Sequence, residues 1–105
     1  MELVTEIYRV TRKFPKEEIF GLVSQLRRSS ISIPSNIAEG KGRLSKGEFR
    51  QFLGIARGSL AELETQILIA QNLNYLNEAE ATRIVAIVEE VGKVLNGLIS
   101  AVKNQ

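Results

Sequence analysis

The sequence has no cysteine, no histidine, no aspartate and no tryptophan. Without cysteine there are no disulfides, no iron–sulfur clusters and no thiolate metal sites. Without histidine or aspartate there are no His-based triads, no imidazole metal sites and no Asp-based sites. The acids are all glutamates, and the aromatics are four Phe and two Tyr. No apolar run reaches about 18 residues, so no segment is expected to span a membrane. The N-terminal MELVTEIYRVTRKF carries Glu2 and Glu6 and no unbroken apolar stretch, so it does not read as a secretory signal. The expected location is the cytoplasm.

What remains is 105 residues, 44% hydrophobic and 25% charged, the profile of one folded domain spanning 1–105. The net charge of +2 hides a division along the chain. Residues 1–60 hold eleven Lys/Arg against six Glu, and residues 61–105 hold three against six. Between Arg27 and Arg57 seven cations, Arg27, Arg28, Lys41, Arg43, Lys46, Arg50 and Arg57, face only Glu39 and Glu48. Such a bias suits an anionic partner, although a solvated helix face carries similar runs.

Four segments have the helical period. Leu3, Ile7, Val10 and Phe14 form the first stripe, and Pro15 stops it. The second stripe is Ile19, Leu22, Val23, Leu26, Ser30, Ile33 and Ile37, ending at Gly40 and Gly42. Pro34 lies inside it; the phase holds on both sides, so a kink is expected there rather than a break. Ser45 with Glu48 is a capping box for the third helix, whose stripe is Phe49, Phe52, Leu53, Ala56, Leu60, Leu63, Ile67 and Ala70. NLNYLN is a turn, and Asn77 with Glu80 repeats the capping logic before Ile84, Ile87, Val88, Val91, Leu95, Leu98 and Val102. Short connections, one of them at Phe14–Lys16, imply an all-α, antiparallel up-down-up-down four-helix bundle, kinked at Pro34.

The third helix has a second notable side. Gly47, Gly54, Gly58, Ala61 and Thr65 gather nearly opposite its core stripe, flanked by Ile55 and Ile69. Glycine inside an exposed helix costs about 1 kcal/mol against alanine, so these positions are read as a subunit interface where another helix comes close. Phe20, Ile31 and Ala38 suggest a lesser stripe on the second helix. Lys46, Arg50 and Arg57 lie within about 40° of one another, and with Lys41 and Arg43 would form a basic ridge. Sparse aromatics favour phosphate and shape recognition of a duplex over base stacking.

No catalytic constellation is legible. Glu62 and Glu64, like Glu89 and Glu90, point to different helix faces. EGKGRLSKGE has Glu48 and Phe49 where a phosphate loop needs Lys and Ser/Thr, and no strand precedes it. No enzyme activity, metal or cofactor is therefore expected. Ser29, Ser30, Ser32 and Ser35 read as tight packing around Pro34, with hydroxyls bonded back to carbonyls.

From Phe14 to Ala70 the chain closely resembles the bacterial four-helix-bundle proteins encoded within intervening sequences of 23S ribosomal RNA genes. That family includes relatives of the accessory variability protein of diversity-generating retroelements. SIPSNIAEG (Ser32 to Gly40) and ARGSLAELETQ (Ala56 to Gln66) carry the resemblance. It leads one to expect a Trp-bearing stretch ahead of Met1. It also implies a homopentameric ring with a basic surface engaging nucleic acid and, in the retroelement branch, a reverse-transcriptase partner. The expected function is a non-enzymatic, oligomeric protein gripping RNA or DNA phosphates, structured RNA above all. The alternative is a protein-interaction scaffold docking a partner such as that reverse transcriptase.

Overall fold

The computed structural model describes residues 1–103, the last of these by its backbone; Asn104 and Gln105, the end of the domain expected over 1–105, lie outside the described residues. Four helices follow one another: α1 (Glu2–Thr11), α2 (Leu22–Lys41), α3 (Lys46–Asn72) and α4 (Glu78–Lys103). Packed neighbours are α1 with α2, α2 with α3, α3 with α4 and α4 with α1, the closed circuit of an antiparallel four-helix bundle. Its longest dimension is 45 Å.

The core follows the stripes expected from periodicity, with Ile19 the exception. Leu3, Ile7 and Val10 from α1 meet Leu22, Val23, Leu26 and Ile33 from α2. Leu53, Ala56, Leu60, Leu63, Ile67 and Ala70 from α3 and Ile84, Val88, Leu95 and Val102 from α4 complete it. Phe49, Ile37, Ile87, Val91 and Leu98 are half-buried around that centre.

The link between α1 and α2 departs from expectation. α1 ends at Thr11, and a 3-10 turn occupies Lys16–Glu18 before α2 begins at Leu22. Ile19, expected on the core face, is exposed, and Phe20, expected on α2, precedes that helix. The physical reason is phase. A 3-10 turn advances 3.0 residues per turn, and Gly21 then adopts φ −108°, ψ −110° as the N-cap. The α-helical register is therefore reset, and residues before Leu22 no longer project onto α2's apolar face. Phe14 reaches the core all the same and packs against Tyr75, whose hydroxyl donates to Glu18 (2.9 Å).

α2 runs through Pro34 as one helix. Of the four serines expected to pack tightly beside it, Ser29 and Ser30 are buried and donate to the Leu26 (3.2 Å) and Arg27 (2.8 Å) carbonyls, whereas Ser35 is exposed, on the solvent side of α2. Ser29 Oγ also donates to Gln66 Oε1 on α3 (2.7 Å), and Ser32 bonds Ser59 (2.8 Å). These polar pairs set the α2–α3 register, since sliding either helix would strand a buried hydroxyl or amide. Gly40 sets the separation of the two helices near their connecting loop. A Cβ there would lie 2.8 Å from Phe52 Cβ and 2.9 Å from Phe49 Cδ1.

Both capping signals are realised. The Glu48 amide donates to Ser45 Oγ (3.1 Å). At α4, Glu80 N donates to Asn77 Oδ1 (2.8 Å) while Asn77 N donates to Glu80 Oε1 (3.1 Å), the reciprocal box. α3 ends in a Schellman motif: Asn74 takes φ 63°, with Tyr75 N on the Ala70 carbonyl (2.9 Å) and Asn74 N on the Gln71 carbonyl (3.0 Å).

Candidate nucleic-acid interface

The loop joining α2 to α3 is the most continuously solvated part of the described chain. Every residue from Lys41 to Glu48 is exposed. Gly42 caps α2, its amide donating to the Ala38 and Glu39 carbonyls (both 3.2 Å), and Ser45 opens α3. A C-cap and an N-cap only three residues apart make a tight corner that cannot bury its own backbone, so its side chains point outward.

Lys41, Arg43, Lys46 and Arg50 belong to this corner, and Arg57 lies about 16 Å along α3 from Lys46 on the same face. Arg50 and Arg57 are exposed. Arg43 is partly anchored: its guanidinium lies over the Phe52 ring (4.8 Å) and bonds Glu39 (3.1 Å). Glu48 accepts from the Ser45 hydroxyl (3.2 Å). The two acids of the region are thus engaged locally.

The other two sequence candidates stand apart. Arg28 is exposed but sits about 20 Å along α2 from Lys41, at 1.5 Å per residue. It borders a shallow cleft with Tyr8, Phe20 and Ile31. Arg27 is half-buried, stacked on Tyr8 (4.5 Å), and its Nε donates to Thr11 Oγ1 (3.0 Å). It ties α2 to α1, so four of the seven cations gather at one end, Arg57 continues their face toward the middle of α3, and two stand apart. The signal for Arg27 was available in the sequence only as a cation at the edge of an apolar stripe.

Farther along α3 the character of that face changes. Glu64 and Leu68 continue the azimuth of Lys46 and Arg50, and with Val85 and Glu89 they rim a groove floored by Ile67 and Val88. Sequence reasoning missed this groove because it is made by two helices, neither of which alone marks it.

The proposed interface residues Gly54, Ile55, Gly58, Ala61, Thr65 and Ile69 are all exposed. A Cβ on Gly54 or Gly58 would meet nothing within 4 Å, so no packing inside the subunit requires either glycine.

Two carboxylates are electrostatically distinct, and both lie near α1 rather than at the basic corner. Glu6 is held below the ordinary carboxylate range, first by its hydrogen bond to Arg9 and also by Arg83; partial burial works against them. Glu80 is held low chiefly by Lys13, helped by the Asn77 amide. Hydrogen-bonded cations account for both as structural ion pairs.

The model of the family described as 23S rRNA-intervening sequence protein matches residues 1–97. The chain belongs to that family. Among solved structures, this family member is similar to a Bacteroides thetaiotaomicron VPI-5482 protein of unknown function from the S23 ribosomal protein family. The two share 24% identity and a TM-score of 0.79, over 91% of this chain and 87% of the other. That likeness is one of fold. Comparison with curated proteins gives no match. Among the described residues, no helix is long and apolar enough to cross a membrane.

Proposed function

We propose that this protein is a non-enzymatic nucleic-acid-binding bundle that acts as an oligomer. Its contact surface is the basic corner: Lys41, Arg43, Lys46 and Arg50, extended by Arg57. The observation that carries the reading is the gathering of exposed cations at one bundle end, where the nearby acids are engaged by neighbours. Phosphate is the ligand chemistry such a surface suits. The family description refers to 23S rRNA, so structured RNA is the first probe.

The oligomer rests on the exposed Gly54/Gly58 face with Ile55 and Ile69, 47% and 43% exposed, beside it. Small residues permit close approach of a second helix, and two isoleucines would supply apolar area. The five-fold ring implied by the family resemblance would multiply a weak corner by avidity.

The test is binding of structured RNA across salt. If each protomer neutralises three to five phosphates, affinity falls roughly 40- to 500-fold between about 50 and 200 mM salt. A flat response, or no binding at low salt, rejects the reading. A protein partner, such as a reverse transcriptase, that stays bound after nuclease treatment would favour the scaffold alternative.

A further inference from the structure

We propose that Leu44 is an apolar wedge, presented by the basic corner for insertion at an unstacked step of a bound nucleic acid. The proposal rests on the nucleic-acid reading and adds a specific residue and a specific target feature to it.

Single exposed leucines are ordinary on protein surfaces. Leu44 differs in where it stands and in what it does not do. It is the residue before the Ser45 N-cap, and four residues after that cap comes Phe49. In this pattern the two apolar side chains normally pack together as a staple that fixes the entry of the chain. Here they do not. Phe49 packs over the bare α-carbon of Gly40, and Leu44 is left 103% exposed.

Its neighbours are nevertheless held. Arg43 donates its amide to the Gly40 carbonyl (3.1 Å) and lays its guanidinium on Phe52, while Ser45 caps α3. Leu44 is therefore displayed from two anchored flanks at the apex of the corner. Cations lie on both sides of it in sequence: Lys41 and Arg43 before, Lys46 and Arg50 after.

An apolar side chain between cations matches one established way of engaging a helical nucleic acid. The cations hold phosphates, and the wedge enters between bases. Unstacking is cheapest where a base is already unpaired, so a bulge is the preferred target. A membrane surface fits less well, because stable insertion there needs a broad apolar face rather than one side chain.

The experiment uses the full chain and two RNA duplexes of the same sequence, one perfect and one with a single bulged nucleotide beside a 2-aminopurine. The wild type should bind the bulged duplex more tightly and raise the 2-aminopurine fluorescence. Leu44→Ser should bind the bulged duplex about tenfold more weakly, the scale of one partly buried leucine. Its binding to the perfect duplex and its salt slope should be unchanged, and Leu44→Met should restore the signal. Because Leu44 touches no core residue, circular dichroism should be identical for all three. Equal binding and fluorescence for wild type and Leu44→Ser overturn the wedge and leave the phosphate-binding corner standing. Failure of both duplexes to bind at low salt overturns the corner and the wedge together. Leu44-dependent binding to phosphatidylserine vesicles with no fluorescence response assigns the residue to a membrane and overturns the proposal.

Discussion

The backbone of Gly40 comes so near Phe52 that a Cβ on the glycine would stand 2.8 Å from the phenylalanine's own Cβ. Phe49 crowds the same point at 2.9 Å, and both neighbours belong to a helix rather than a yielding loop. Gly40→Ala should therefore destabilise the protein by about 1–3 kcal/mol, the overpacking range, despite alanine's better helix propensity. Gly92→Ala is the control. Its Cβ would make an ordinary 3.6 Å contact with Leu60, so stability should hold or rise by up to about 1 kcal/mol. Urea denaturation at one protein concentration compares the two.

Gly58 tests the assembly without endangering the fold. Its missing Cβ faces open space, so Gly58→Leu leaves the subunit's packing untouched. Light scattering should report loss of the oligomer while helicity by circular dichroism is retained. An unchanged mass removes the case for this face as an interface.

Cations of the same type should separate by role. Arg50→Glu with Arg57→Glu should weaken RNA binding and lower its salt slope by about 1 for each phosphate no longer neutralised, with unfolding unaffected. Arg27→Met should do the reverse. It removes the stack on Tyr8 and the bond to Thr11, costing about 1 kcal/mol of stability and leaving the salt slope alone.

Acid should act through Glu80 and Glu6. Both carboxyls are depressed in the folded state, Glu80 mainly by Lys13 and Glu6 mainly by Arg9, from an ordinary value of 4.5. The unfolded chain therefore takes up protons first as pH falls. Their stabilisation is complete above 4.5 and fades as pH drops through the lower folded values. Glu80→Gln keeps an acceptor for the Asn77 amide and loses the Lys13 charge pair. Its melting temperature should lie below wild type at neutral pH, and the gap should close on acidification. A constant gap would mean that the charge pair contributes nothing.

Much of this architecture is written locally. Ser45/Glu48 and Asn77/Glu80 give the starts of α3 and α4 because a cap needs only residues three apart. The core stripes of all four helices follow from period alone, since burial of one face is what makes an amphipathic helix stable. The beginning of α2 was not legible. A 3-10 turn and an ordinary-looking Gly21 reset the phase, which put Ile19 and Phe20 outside the helix. The Asn74 left-handed cap was visible only as a polar turn, because its identity lies in backbone bonds to Ala70 and Gln71.

The four helices, their apolar faces and the excess of cations up to Arg57 were already legible in the chain, because all are properties of residues near one another in it. The packing of the helices placed Arg27 in the α1–α2 contact and left Lys41, Arg43, Lys46 and Arg50 on a shared solvated corner. It alone left Leu44 bare, by turning Phe49 onto Gly40. Those outcomes depend on which helices touch and how closely, and a helix surface acquires that information only when another backbone is laid against it.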